Sequence, residues 1–243
     1  MKKEIKEKGE LFNEFIQKNR KLIYVIMGLI ILLLITSITV FSLMDVFRGR
    51  AIVIVEEFNR RYESIRSSMD EADSNNESEV DSENENDDVT ESEYDSEIEQ
   101  LLAELEPFAR RTSGYAGAKA WSIIADIYSN KKEWAGAEAA WVSAAGKSVK
   151  SYLEPLAWFN AAITAEEQEK TTEAIDYYTR SINAPAGFLS APRAQFSIGR
   201  LSESLDDKDA AITAYRAVIA GWPQDQVWTN LAHSRIIALE INL

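Results

Sequence analysis

The chain of 243 residues contains no cysteine. That excludes disulfides, thiol chemistry and any cysteine-ligated zinc site. Histidine occurs once, at His233. A lone histidine near the C-terminus reads as a surface or packing residue, not as part of a metal cluster or a catalytic triad. No glycine-rich phosphate loop follows a strand, and there is no G-x-S-x-G elbow. The carboxylate pairs Glu166-Glu167 and Asp206-Asp207 fall at helix ends and turns, where they read as solvated caps. The expectation is a protein that is not an enzyme and that takes no cofactor or metal. Basic clusters are also missing from the C-terminal half, so nucleic acid is not an expected partner.

Acid is abundant, but only in one place. Residues 70–99 hold 15 acidic residues and no basic one, against a net charge of -14 for the whole chain. Outside that stretch the charges nearly balance. The Ser, Asn, Asp and Glu composition buries too little apolar surface to offset chain entropy, so residues 69–96 are expected to be a disordered acidic linker. Two roles stand open for it, a soluble spacer and a docking strip for a basic partner. Specific calcium binding is not expected, because Asp81–Glu85 lacks the glycine that an EF-hand loop requires.

Leu22–Met44 is a run of 23 residues without a charge. At about 34 Å as a helix, it is long enough to cross a hydrocarbon core of about 30 Å. No small-x-small cleavage site follows it, which favours an uncleaved transmembrane helix over a secretory signal. Seven Lys or Arg precede the run within residues 1–21, and four follow it by Arg61. The positive-inside tendency places a basic tail, residues 1–21, in the cytoplasm. Residues 45–68 then read as a helical stalk. Val55, Phe58, Tyr62 and Ile65 share one face by 3-4-3 spacing, and Glu56–Arg60 and Glu57–Arg61 are favourable i,i+4 pairs. This face is either a solvated continuation of the membrane helix or a coiled-coil-like surface for self-association or a partner helix.

The C-terminal half repeats at a period of 37. Ala125, Ala162 and Gly199 keep it, as do Ala137, Ala174 and Ala211, and Trp141, Tyr178 and Tyr215. Trp121 and Trp158 share the interval. A fixed period of this size means stacked supersecondary units. Each unit reads as helix, polar turn, helix, with small residues where two backbones meet and aromatics beside them. The turns fall at 129–132, 168–172 and 206–208, and Pro185 and Pro223 end the second helices of the last two units. Residues 97–111, with Ile98, Leu101, Leu102, Leu105 and Phe108 on a helical stripe, and residues 226–242 flank the array as capping helices. The expected fold is all-α, an N-terminal transmembrane helix followed by an α-solenoid of three helix pairs, about eight helices over 97–243.

The unit pattern resembles the tetratricopeptide repeat (TPR). The first unit matches at Trp121, Ile124, Ala125, Tyr128, Ala137, Trp141 and Ala144. The second matches at Trp158, Ala161, Ala162, Ala174 and Tyr178, whereas the third has Gln195 and Ser202 where the family prefers Trp and Tyr. The resemblance implies protein or peptide binding on a concave face lined by first helices. By register the groove is Lys119, Ile123, Asp126, Phe159, Asn160, Ile163, Arg193, Phe196 and Arg200. Ser122 and Asp126 replace residues of the family's carboxylate clamp, leaving a groove with an apolar centre and arginines at one end, either open to a hydrophobic or acidic segment or filled by the chain's own terminal helix.

The whole layout, including Ser113-Gly114-Tyr115-Ala116 at the start of the repeats, also resembles bacterial single-pass inner-membrane TPR proteins of the ancillary Sec-translocon type. That resemblance implies a membrane-anchored adaptor with its repeats in the periplasm, ancillary to translocation or chaperoning. Two alternatives remain open at this level. One is a scaffold subunit of a cell-envelope machine, such as a flagellar motor or secretion apparatus. The other is a cytosol-facing organelle import receptor.

Overall fold

The computed structural model describes residues 17–76 and 87–241, side chains at 23, 41, 43–45 and 72–93 excepted. It divides into two bodies, Met1–Arg50 and Ala51–Leu243. Among the described residues all regular structure is helical: α1 (Arg20–Asn76), α2 (Asp87–Arg111), α3 (Gly114–Asn130), α4 (Trp134–Lys147), α5 (Leu153–Glu166), α6 (Thr171–Asn183), α7 (Ala191–Ser204), α8 (Lys208–Gly221) and α9 (Gln226–Ile241).

In the first body, the Arg20–Val40 portion of α1 is long and apolar enough to cross a membrane, and none of it is buried by other parts of the chain. Its two threonine hydroxyls are satisfied inside the helix. Thr36 Oγ1 donates to the Leu33 carbonyl at 2.9 Å and Thr39 Oγ1 to that of Ile35 at 2.8 Å. This is the local solution open to a hydroxyl on an apolar helix.

In the second body, α3/α4, α5/α6 and α7/α8 are the three expected helix pairs, and each helix touches the next in sequence. Small residues make the close approaches: Ala125, Ala137, Ala162, Ala174 and Ala211 are fully buried. The period extends to the backbone. Lys132, Glu169 and Asp206, each 37 apart, all adopt φ 58. Around them the amides of Glu133, Lys170 and Asp207 donate to the carbonyls of Tyr128, Ala165 and Ser202 at 2.8, 2.9 and 3.0 Å. Each first helix thus ends in a left-handed residue with a 6→1 bond, the geometry that usually recruits glycine. Asn183 and Gly221 end α6 and α8 two residues before Pro185 and Pro223, as expected.

Two expectations about the region before the repeats need correction. The stalk is not a solvated continuation of the apolar helix, nor is its face free for self-association. Val55, Tyr62 and Ile65 are buried in one cluster with Ile98, Leu101, Leu105, Ile123 and Ile127. The predicted 3-4-3 face is therefore real, but this chain covers it. Phe58 lies 5.7 Å from Phe108, Arg61 Nη1 donates to Glu104 at 2.6 Å, and the Tyr94 hydroxyl to the Ser68 carbonyl at 3.3 Å. Partners that rise along α1 fall along α2, so the two helices run antiparallel. Along α3 they rise together, from Tyr115–Glu56 to Asn130–Tyr62. The 51–76 part of α1 and α2 thus form an additional helix pair ahead of the three repeats.

The acidic stretch, correspondingly, does not separate the repeat body from what precedes it. It connects two helices that pack on each other. Helix extends through Asn76 on one side and resumes at Asp87 on the other, and Asp95 pairs with Lys131 at 2.9 Å. Burying Ile98, Leu101, Leu105 and Val55 supplies the apolar area that the acidic composition conceals. The expectation of disorder for 77–86 lies outside the described residues.

Candidate protein-binding groove

The nine groove candidates come from the first helices α3, α5 and α7, at positions that the 37-residue period aligns. Their surroundings differ from repeat to repeat. In the first, Ile123 is buried in the cluster shared with α1 and α2. Lys119 is half-buried and Asp126 reaches solvent. Asp126 nevertheless has its carboxyl pushed up to about 6. Burial is the largest cause; Lys119 and Arg66 pull the other way, and Glu63 adds a small push. Arg66 and Glu63 lie on α1, so α1 borders this end of the face. Tyr62 is raised to about 12, by burial first and then by the charge of Asp126.

In the second repeat, Phe159 is buried, its ring 5.3 Å from both Tyr178 and Phe188. Arg193, from the next first helix, lies over it at 5.2 Å. Such a cation–π contact attracts the guanidinium to the ring while leaving it hydrated. Asn160 and Ile163 are half-buried. In the third, Phe196 packs between Tyr215 at 5.1 Å and Trp228 at 5.4 Å. Arg200 pairs with Glu166. Phe159 and Arg193 are therefore brought together, whereas Ile123, Phe159 and Phe196 enter three separate clusters. They do not form one continuous apolar floor. What reaches solvent along this face is Asp126, Leu156, Arg193 and Arg200, with Tyr152 at its edge. Leu156 is the residue that the sequence reading omitted; it completes the register Lys119, Leu156, Arg193.

A second recurring element holds the helices in place. Tyr178 and Tyr215 donate their hydroxyls to Glu166 and Glu203, the former at 2.6 Å. Each of these glutamates also pairs with an arginine from the helix that follows its pair, Arg200 of α7 or Arg235 of α9. Glu138 does similar work one pair earlier, accepting from Gln168 and Lys170 at 2.8 Å and from Tyr177 at 2.9 Å. Burial alone would raise the Glu138 and Glu203 carboxyls, but these donors outweigh it and hold both below the usual range. The long aromatic and charged residues of this face are thus spent largely on joining one repeat to the next.

Residues 192–220, which comprise nearly all of α7 and α8, match the tetratricopeptide repeat family. A TPR repeat-containing protein of Treponema pallidum (strain Nichols) is 37% identical over 145 residues, 59% of this chain and 60% of that protein. The chain thus spans about 60% of the length of the relative it matches. The 37-residue period, the helix pairs and these two similarities support a TPR protein. Arrays of this kind offer extended surfaces to other proteins.

Proposed function

We propose that this chain is a non-enzymatic, membrane-anchored TPR adaptor that binds proteins or peptides at the periplasmic face of a bacterial inner membrane. The observation that carries the reading is the pairing of a 23-residue uncharged run with a TPR array in one chain. Leu22–Met44 serves as the anchor, the basic tail stays in the cytoplasm, and the binding surface is the strip formed by the exposed Leu156 and Arg193 with the half-buried Asn160 and Ile163. An extended segment with an apolar side chain over Leu156 and an acidic group near Arg193 suits that strip. The role is ancillary to translocation or periplasmic chaperoning.

Photo-crosslinking in cells tests this. Phe159 is buried and a poor site for the probe, so the probe goes at Leu156, with Thr179 on the exposed side of α6 as control. Capture of exported chains or translocon subunits from 156 and not from 179 supports the adaptor. Equal capture at both sites, or a repeat body that protease added to intact spheroplasts leaves whole and digests only after lysis, refutes it. A single envelope-machine subunit captured at fixed stoichiometry from 179 favours the scaffold reading instead. That reading draws on one observation, that α1 borders the first repeat's share of the face and shortens the open strip.

A further inference from the structure

Alternating helices give the repeat body two opposite edges. One carries the turns inside each pair, at 131–133, 167–170 and 205–207. The other carries the connections between pairs, at 112–113, 148–152, 184–190 and 222–225. Residues 51–56 of α1 lie on this second edge. Glu56 accepts from the Tyr115 hydroxyl at 3.2 Å, and the Tyr115 ring lies 6.5 Å from that of Tyr152.

The two edges differ sharply in charge. Of the ten residues in the within-pair turns, eight are charged. Of the 18 in the between-pair connections, only Lys150 and Asp225 are. The uncharged edge is not merely neutral. Val149 is 62% exposed, Tyr152 64% and Leu189 97%, and Val53 at the start of this body is 67% exposed. Connections that face water are ordinarily polar, since nothing is gained by hydrating a leucine.

We propose that this edge rests on the lipid surface, with Val149, Tyr152 and Leu189 inserted in the interfacial layer. The inference rests on reading Leu22–Met44 as a membrane span. Six residues separate Met44 from Ala51, a covalent tether of at most about 25 Å. That tether enters the body at Ala51, on its uncharged edge. Tyrosine and leucine side chains partition into the headgroup boundary, where an aromatic ring and its hydroxyl find apolar and wet surroundings together. The apolar residues sit on separate connections in a row and do not line a groove, which suits a broad surface better than a peptide. With almost no charge on the connections, insertion depends on apolar contact and not on anionic headgroups. Neighbouring charges are already engaged: Lys147 donates to the carbonyls of Arg110 and Thr112, and Glu154 accepts from the Lys150 amide.

The absence of cysteine makes the test clean, because single labels can be placed at will. Full-length Val149→Cys, Leu189→Cys, Glu167→Cys and Leu33→Cys are labelled with a polarity-sensitive fluorophore and reconstituted in phosphatidylcholine vesicles carrying nitroxide lipid. Labels at 149 and 189 are expected to shift blue and to be quenched several-fold more than the label at 167, in low and high salt alike. Unquenched, unshifted labels at 149 and 189 beside a quenched label at 33 overturn the proposal and leave the anchor intact. A blue shift at 149 and 189 without quenching means that protein covers the edge, and also overturns it. Quenching that high salt abolishes overturns the apolar mechanism. An unquenched label at 33 refutes the anchor, and the labels at 149 and 189 then still report whether the edge binds lipid.

Discussion

Gly199 lies at the position where the other two repeats have Ala125 and Ala162, and the substitution Gly199→Ala sets two effects against each other. Alanine is the better helix former by about 1 kcal/mol, so on propensity alone the change stabilises α7. The added methyl, however, would lie 2.6 Å from Cε1 of Tyr215 and 2.8 Å from its Cδ1 and Cζ. That ring cannot retreat easily. It is fully buried, its hydroxyl is held by Glu203, and Phe196 lies 5.1 Å away. Overpacking of this kind costs about 1–3 kcal/mol. Three ring atoms inside contact distance put the cost in the upper part of that range, for a net loss of about 1–2 kcal/mol. For a body of this size the midpoint of thermal unfolding then falls by roughly 2–8 °C. Circular dichroism of the full chain measures it. A control in the Tyr215→Leu background removes the ring, and there Gly199→Ala should be neutral or stabilising. A raised midpoint in the wild-type background, or an equal loss in both, refutes the reasoning.

The remaining predictions concern charge, turns and the first helix pair. Glu138 is held below its ordinary value of 4.5, so its contribution is present above that pH and is lost as pH falls through the lowered value. Glu138→Gln should therefore cost about 1–2 kcal/mol at neutral pH, with the gap to wild type closing in acid urea titrations. Asp126 has the opposite sign. Its carboxyl is raised from 3.8 to about 6, so it favours the folded state below both values and that contribution is lost as pH rises through 6. Asp126→Asn should raise the midpoint at pH 7, and the advantage should vanish below pH 4. Lys132→Gly and Glu169→Gly, at residues with φ 58, should each stabilise by about 0.5–1 kcal/mol in denaturant titrations. Val55→Ala should destabilise the repeat body by about 1.5–2 kcal/mol, whereas a free stalk would show no change in its unfolding midpoint.

What the sequence disclosed and what it hid have identifiable causes. Small residues and aromatics at interval 37 mark backbone approach, and so the three helix pairs, their turns and their proline stops were legible. The same interval foretold neither the left-handed residues at 132, 169 and 206 nor their glycine-free chemistry, because Lys, Glu and Asp at a turn look merely solvated. The first helix pair was hidden because the acidic segment breaks the period. Its apolar halves, Val55 to Ile65 and Ile98 to Ala109, were each visible, but composition offers no means of pairing them. Counting carboxylates across 69–96 then mistook helix termini for linker. On the candidate face, register assigned Phe159 and Phe196 correctly to the first helices. It could not say that long aromatic side chains there would turn into the junctions between repeats, or that Leu156, at the shared position, would be the one left open.

The connection between α1 and α2 spans only residues 77–86, yet the helices it joins are matched by their own side chains: Phe58 with Phe108, Arg61 with Glu104, Tyr94 with Ser68. Peptide continuity at that point supplies local concentration; for a short tether this is on the order of millimolar. Lengthening the connection twofold would cost about 0.6 kcal/mol in closure entropy. Cutting it would leave two complementary fragments, one ending near Asn76 and one beginning near Asp87. They would form a split protein whose halves recognise each other by shape, with its first helix supplied in trans.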